Sequence, residues 1–219
     1  MKPLRLFFDY ISPYAYVGWH TAQAIAERHC RQLVAEPILF AALLNAHGQK
    51  GPAEIPAKRA YTFKDAYRKA HAAGLGRLVP PPSHPFNPLL ALRATRAVPD
   101  SERARAITAL YAATWGGGAG IDSTELVTRV LDGVGLDGPA VVARASEPGI
   151  KAELKAATDE AIALGVFGVP TLEVDGELFF GVDGLAFASA FLEGHDPVPR
   201  DLLAQWAELP ASASRLPRG

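Results

Sequence analysis

Strand signals in this 219-residue chain sit near its two ends, with none between. Leu4–Phe8 is short, apolar and aromatic-rich, and it predicts a buried strand. Leu33–Phe40, with Val34, Ile38 and Leu39, predicts a second despite Pro37. Far downstream, Thr171–Val174 and Glu177–Phe180 flank Asp175-Gly176, a strong two-residue hairpin signal. From Ala41 to Leu164 the pattern predicts only helices and turns. Any sheet must therefore be assembled from segments on either side of a long helical stretch.

Helix signals fill in the rest. Ser12-Pro13 marks a start, because a serine oxygen can accept an orphan N–H and proline at the first helical position sacrifices no bond. That helix runs towards Arg28 and gives a strand–helix–strand opening. The middle predicts helices over Thr62–Ala73, Leu89–Ala97, Ser101–Trp115, Thr124–Leu131 and Ile150–Leu164. Asp100-Ser101 and Asp122-Ser123 offer caps, and Gly116, Gly133 and Gly165 offer stops. Pro80-Pro81-Pro82 and His84-Pro85 fix a loop. A helix over Leu185–Leu192 follows the hairpin. The tail from Pro197 carries one amphipathic stretch, Leu202–Leu209, before a frayed end.

Composition excludes several classes. The chain is 49% hydrophobic with a net charge of −1, unlike a disordered one. One cysteine, Cys30, cannot form an intrachain disulfide or a thiolate zinc site. It reads as a small buried hydrophobe at a helix end. No run of about 18 apolar residues predicts a membrane span. The first residues lack a signal peptide's apolar core, so the cytoplasm is the expected compartment. Six histidines show no metal spacing, and no metal is expected. Residues 1–110 carry +8 and residues 111–219 carry −9. The basic half fits a pocket wall for small anions or a dispersed solvated face. Its interleaving with Ala and Leu argues against nucleic acid. Gly133–Gly138 matches G-x-G-x-x-G but follows a helical segment, so an inter-helix turn is expected rather than a dinucleotide site. Trp115–Gly120 lacks the Lys-Ser/Thr of a phosphate loop.

Two signals point to chemistry. Ser12 stands where a helix dipole and a hydroxyl donor would both stabilise a ligand thiolate. Gly168-Val169-Pro170-Thr171 opens the strand before the hairpin, and its X-Pro bond is a candidate cis bond beside backbone that can pair with an extended ligand. Together with the helical middle, the segments Phe8-Asp9-Tyr10-Ile11-Ser12-Pro13-Tyr14-Ala15-Tyr16, Val166–Thr171 and Leu178-Phe179-Phe180-Gly181-Val182-Asp183 resemble the 2-hydroxychromene-2-carboxylate isomerases. These are related to kappa-class glutathione transferases and DsbA-like oxidoreductases. The resemblance runs from about residue 4 to 195.

The resemblance implies an α/β, thioredoxin-like fold (βαβ…ββα) with a large all-helical insertion. The implied divisions are 1–41 with 165–196 for the thioredoxin-like domain, 42–164 for the insertion and 197–219 for the tail. It puts Ser12 where redox relatives carry a nucleophilic cysteine. With no C-x-x-C the chain cannot run a dithiol cycle alone, so the thiol is expected from glutathione. Ser12 would donate to the sulfur. Val169, ahead of Pro170, would pair with the tripeptide. Phe180, Gly181, Val182 and Asp183 would form the rest of the cofactor subsite, with Asp183 on the γ-glutamyl ammonium. Lys58 and Asn87 fall in implied substrate segments; a solvated lysine and a loop-satisfying asparagine are their plain alternatives. The implied activity is glutathione-dependent cis–trans isomerisation of a small aromatic carboxylate, by a homodimer in aromatic catabolism. The alternatives are a kappa-like transferase or peroxidase, and a non-catalytic peptide-binding protein.

Overall fold

A computed structural model describes residues 2–210 and 212. The four strands are β1 (Leu4–Phe8), β2 (Leu33–Pro37), β3 (Thr171–Val174) and β4 (Glu177–Phe180), in the order β2-β1-β3-β4. β1 runs parallel to β2 with Leu6 opposite Ala35, and antiparallel to β3 with Leu6 opposite Leu172. The β3–β4 turn has positive φ at both Asp175 and Gly176, the requirement of the tight hairpin turn expected there. Arg31 grips Asp175 at 2.9 Å and ties this turn to the segment entering β2.

The helices are α1 (Pro13–Arg28), α2 (Phe40–Ala46), α3 (Pro56–Ala72), α4 (Leu89–Ala97), α5 (Asp100–Trp115), α6 (Thr124–Asp132), α7 (Gly138–Ala145), α8 (Pro148–Ala163), α9 (Gly181–Leu192) and α10 (Arg200–Ala207). Successive β1 side chains face opposite sides of the sheet, and both sides are covered, which explains why Arg5 alone interrupts its apolar residues. Leu4, Leu6 and Phe8 join a core with α1, α9 and the middle helices. Phe7 packs with Ile38, Leu43, Ala157 and Ala161, beneath α2 and α8. Gly18 lets α1 approach the chain before β3: a Cβ there would lie 2.6 Å from Pro170 Cγ.

The strands form where expected except that β2 stops at Pro37, and residues 40–46 turn into α2. Nothing local caps α2; its first N–H, from Phe40, goes to Asp9 Oδ2 at 2.9 Å. α7 was also not anticipated. Asp137 caps it through Ala140 N at 3.0 Å, and the chain before it is helical, so a helix does start on the G-x-G-x-x-G segment but no strand leads into it. α3 begins at Pro56 and α9 at Gly181, each earlier than the periodicity placed them. Cys30 corrects an expectation: it is exposed, at φ +49 just past α1, where the chain needs a left-handed residue to turn into β2. The amphipathic stretch near the C-terminus forms α10, while most of the expected frayed end lies outside the described residues. Among the described residues, no helix is long and apolar enough to cross a membrane.

Candidate active site

Ser12 caps α1, with extended backbone at φ −94 and ψ 119. Its Oγ accepts from Ala15 N at 3.2 Å and donates to Val169 O at 3.4 Å, so one hydroxyl joins the helix start to the chain before β3. The Val169–Pro170 bond is cis, as is His84–Pro85. Among the described residues the Val169 N–H has no partner.

The three residues before Ser12 are held by donors from the middle of the chain. Tyr111 Oη donates to Asp9 O at 3.4 Å, Trp115 Nε1 to Tyr10 O at 2.8 Å, and His84 Nε2 to Ile11 O at 3.0 Å. A carbonyl only accepts, so His84 must carry its proton on Nε2. Its Nδ1 is then a lone pair, and that atom is buried with no partner among the described residues. Burial pushes the His84 pKa down; the Ile11 carbonyl opposes this and Arg59 adds to it. Phe63, Trp115 and Phe86 surround the ring with centroids at 5.2, 5.4 and 6.4 Å.

Ser12 opens onto a cavity of about 750 Å³. Asp9, Ile11 and Tyr14 line it near the serine, and Phe167, Gly168 and Val169 line it on the β3 side. Phe63, His84 and Phe86 make an aromatic wall, while Lys50, Lys58 and Arg59 bring positive charge and Glu54 one acid. Phe167 and Phe180 pair at 4.7 Å and remain 43% and 47% exposed, so they form a lip rather than core. Gly168 makes room for that lip, since a Cβ there would sit 2.5 Å from the Phe180 ring.

Asp9 is 1% exposed. Burial raises its pKa from 3.8 to about 7, against the lowering effect of the Phe40 and Ile11 N–H groups on its carboxylate. Tyr14 donates to Asp65 at 2.9 Å, and its burial, with that carboxylate beside it, pushes its pKa up.

Of the residues singled out in the sequence, Ser12, Val169, Phe180, Lys58 and Asn87 line the cavity; Pro170, Gly181, Val182 and Asp183 lie outside that lining. Asp183 is on the exposed first turn of α9, with Lys69 Nζ 2.5 Å from its carboxylate. Asn87 Oδ1 accepts Leu89 N at 3.0 Å at the start of α4, the loop-satisfying role. Sequence reasoning missed Asp9, His84, Arg59, Lys50 and Phe167. His84 carried one signal, its place in a proline-fixed loop; Asp9 and Phe167 stood in the segments that carry the resemblance but drew no role of their own.

A four-stranded sheet with helices on both sides, and a serine-capped helix facing a cis-proline segment, defines a thioredoxin-like protein without a resident thiol at its helix start. Residues 4–193 match the family described as the DSBA-like thioredoxin domain, and the chain belongs to that family. It is 27% identical over 193 residues to a 2-hydroxychromene-2-carboxylate isomerase of Sphingobium xenophagum, covering 87% of this chain and 98% of that protein. It is 24% identical to glutathione S-transferase kappa 1 of Caenorhabditis elegans, covering 94% and 97%. A solved 2-hydroxychromene-2-carboxylate isomerase superposes with a TM-score of 0.79 at 23% identity, covering 95% of this chain and 99% of that one. These relatives are isomerases or transferases, and they support an enzyme.

Proposed function

We propose that the chain is a glutathione-dependent cis–trans isomerase of a conjugated aromatic carboxylate, of the 2-hydroxychromene-2-carboxylate type. The observation that carries this reading is the Ser12 hydroxyl at the start of α1, on the wall of a large cavity, in a chain whose one cysteine lies at the far end of that helix. The donor set suits glutathione: a hydroxyl at a helix N-terminus for sulfur, and the unpartnered Val169 N–H for the peptide. Bound glutathione would supply the thiol that the start of α1 lacks.

Ser12 turns its hydrogen from Val169 O towards the sulfur and, with the α1 dipole, favours negative charge there. Asp183 receives the γ-glutamyl ammonium by exchanging Lys69 for it. The Phe167–Phe180 lip and the Phe63–Phe86 wall offer apolar faces to a planar ring, and Lys50, Lys58 and Arg59 favour a carboxylate at the mouth. Residues 1–41 with 165–196 would act as the thioredoxin-like unit and 42–164 as the insertion that completes the substrate pocket.

The test mixes the protein with glutathione and a synthetic 2-hydroxychromene-2-carboxylate and follows the absorbance of the opened product. Turnover that needs glutathione and falls in Ser12→Ala is expected; turnover without glutathione would overturn the reading. The relative named glutathione S-transferase kappa 1 favours a second reading, a transferase, which glutathione transfer to a chloroaromatic without isomerisation would select.

A further inference from the structure

The serine-centred site has a donor for a sulfur anion, but Ser12 supplies no group to take the proton. We propose that Asp9 is the proton acceptor of this site: its carboxylate takes the thiol proton of glutathione as the thiol settles on Ser12. The proposal rests on the glutathione-dependent reading above.

The geometry sets Asp9 apart. It is the one buried acid among the described residues, and it lines the same cavity as Ser12. It stands three residues before Ser12 in the same loop, and the Ser12 N–H donates to its carbonyl at 3.2 Å. Oδ1 accepts the Ile11 N–H at 3.1 Å and Oδ2 the Phe40 N–H at 2.9 Å, so each oxygen keeps a lone pair. No cation among the described residues pairs with it. A carboxylate buried without a counter-ion is costly, and taking up one proton relieves that cost. His84 does not fill the role: its Nε2–H is committed to Ile11 O, and a second proton on Nδ1 would make a partly buried cation, which burial disfavours.

The surrounding groups agree. Tyr10 in the loop and Tyr111 from α5 are pushed up by burial and stay neutral. His84 is pushed down and is neutral at neutral pH. Lys50, Glu54, Lys58 and Arg59 stand around the cavity. α2 presents only the Phe40 N–H to the carboxylate.

The step balances without a co-reactant. The S–H bond breaks, its electron pair stays on sulfur, and the proton forms an O–H bond on Asp9. The total negative charge is unchanged, so the two groups share one proton rather than both ionising. On dissociation the proton returns to sulfur.

Calorimetry in buffers of different ionisation enthalpy counts the protons released per glutathione bound, and ultraviolet absorbance reports the bound thiolate. If Asp9 is the acceptor, wild type releases about one proton per glutathione at about pH 5, where the carboxyl is already protonated. Release falls towards zero by about pH 8, still below the ordinary thiol range of about 8.5. Asp9→Asn should keep releasing close to one proton at about pH 8. Wild-type release that stays near one until the free thiol titrates would overturn the proposal, and that series needs no variant to fold. Absence of a bound thiolate at every pH would instead overturn the glutathione reading, and this proposal with it.

Discussion

Replacing Asp9 by asparagine should change how stability depends on pH. The carboxyl's pKa rises from 3.8 to about 7 on folding because it is buried, which the N–H groups of Phe40 and Ile11 only partly offset. The folded protein therefore holds this proton more tightly than the unfolded chain does. Between about pH 4 and about pH 7 the unfolded chain releases it and the folded protein keeps it, so stability falls as pH rises through that window and levels off above it. The gap between the two pKa values corresponds to about 4 kcal/mol in all. Asparagine has nearly the same shape and does not titrate, but its amide opposes one of the two N–H donors, a pH-independent cost of about 1–3 kcal/mol. Urea unfolding of both proteins from about pH 4 to about pH 8 isolates the Asp9 contribution, since every other group is shared. Wild type should be clearly the more stable at the acid end, and the gap should close or reverse by the alkaline end. Parallel stability curves across that range would show that Asp9 titrates as an exposed carboxylate and that its burial does not hold the proton.

Ser12→Ala should lower glutathione-dependent kcat/KM by about ten- to a hundred-fold, the worth of a hydrogen bond to a charged group, and cost about 1 kcal/mol through the lost α1 cap. Steady-state rates and urea midpoints measure the two effects separately. Trp115→Phe strips the Tyr10 carbonyl of its 2.8 Å donor and should cost about 1–3 kcal/mol, again read from urea unfolding. Gly18→Ala forces a methyl to within 2.6 Å of Pro170 and should cost about 1–3 kcal/mol, seen as a lowered Tm.

The sheet was legible because its signals are local: an apolar run in Leu4–Phe8, and Asp175-Gly176 between two short strands. Ser12 was legible for the same reason, since cap and proline adjoin. α7 carried an equally local signal, an aspartate cap before Gly138-Pro139, yet the glycine spacing drew the reading to a turn. α2 is different in kind: its cap is a side chain from Asp9, 31 positions upstream, and no window of the sequence holds both. The same holds for the cavity, where His84 meets Ile11 across 73 positions. Cys30 misled because cysteine suggests burial, while its position demands a backbone conformation. Residues whose role depends on the folded path, Asp9 above all, were visible in the sequence only as letters at element ends.

The strand order also bears on how the chain is made. β1 is interior, yet one of its neighbours, β3, is synthesised about 160 residues after it. Until then Leu4–Phe8 can pair only with β2 and presents an apolar strand with one open edge, the kind of template on which chains associate wrongly. The last strands to leave the ribosome are thus the ones that close this edge, so premature termination anywhere in the long helical stretch removes more than the missing residues: it leaves the oldest part of the chain adhesive.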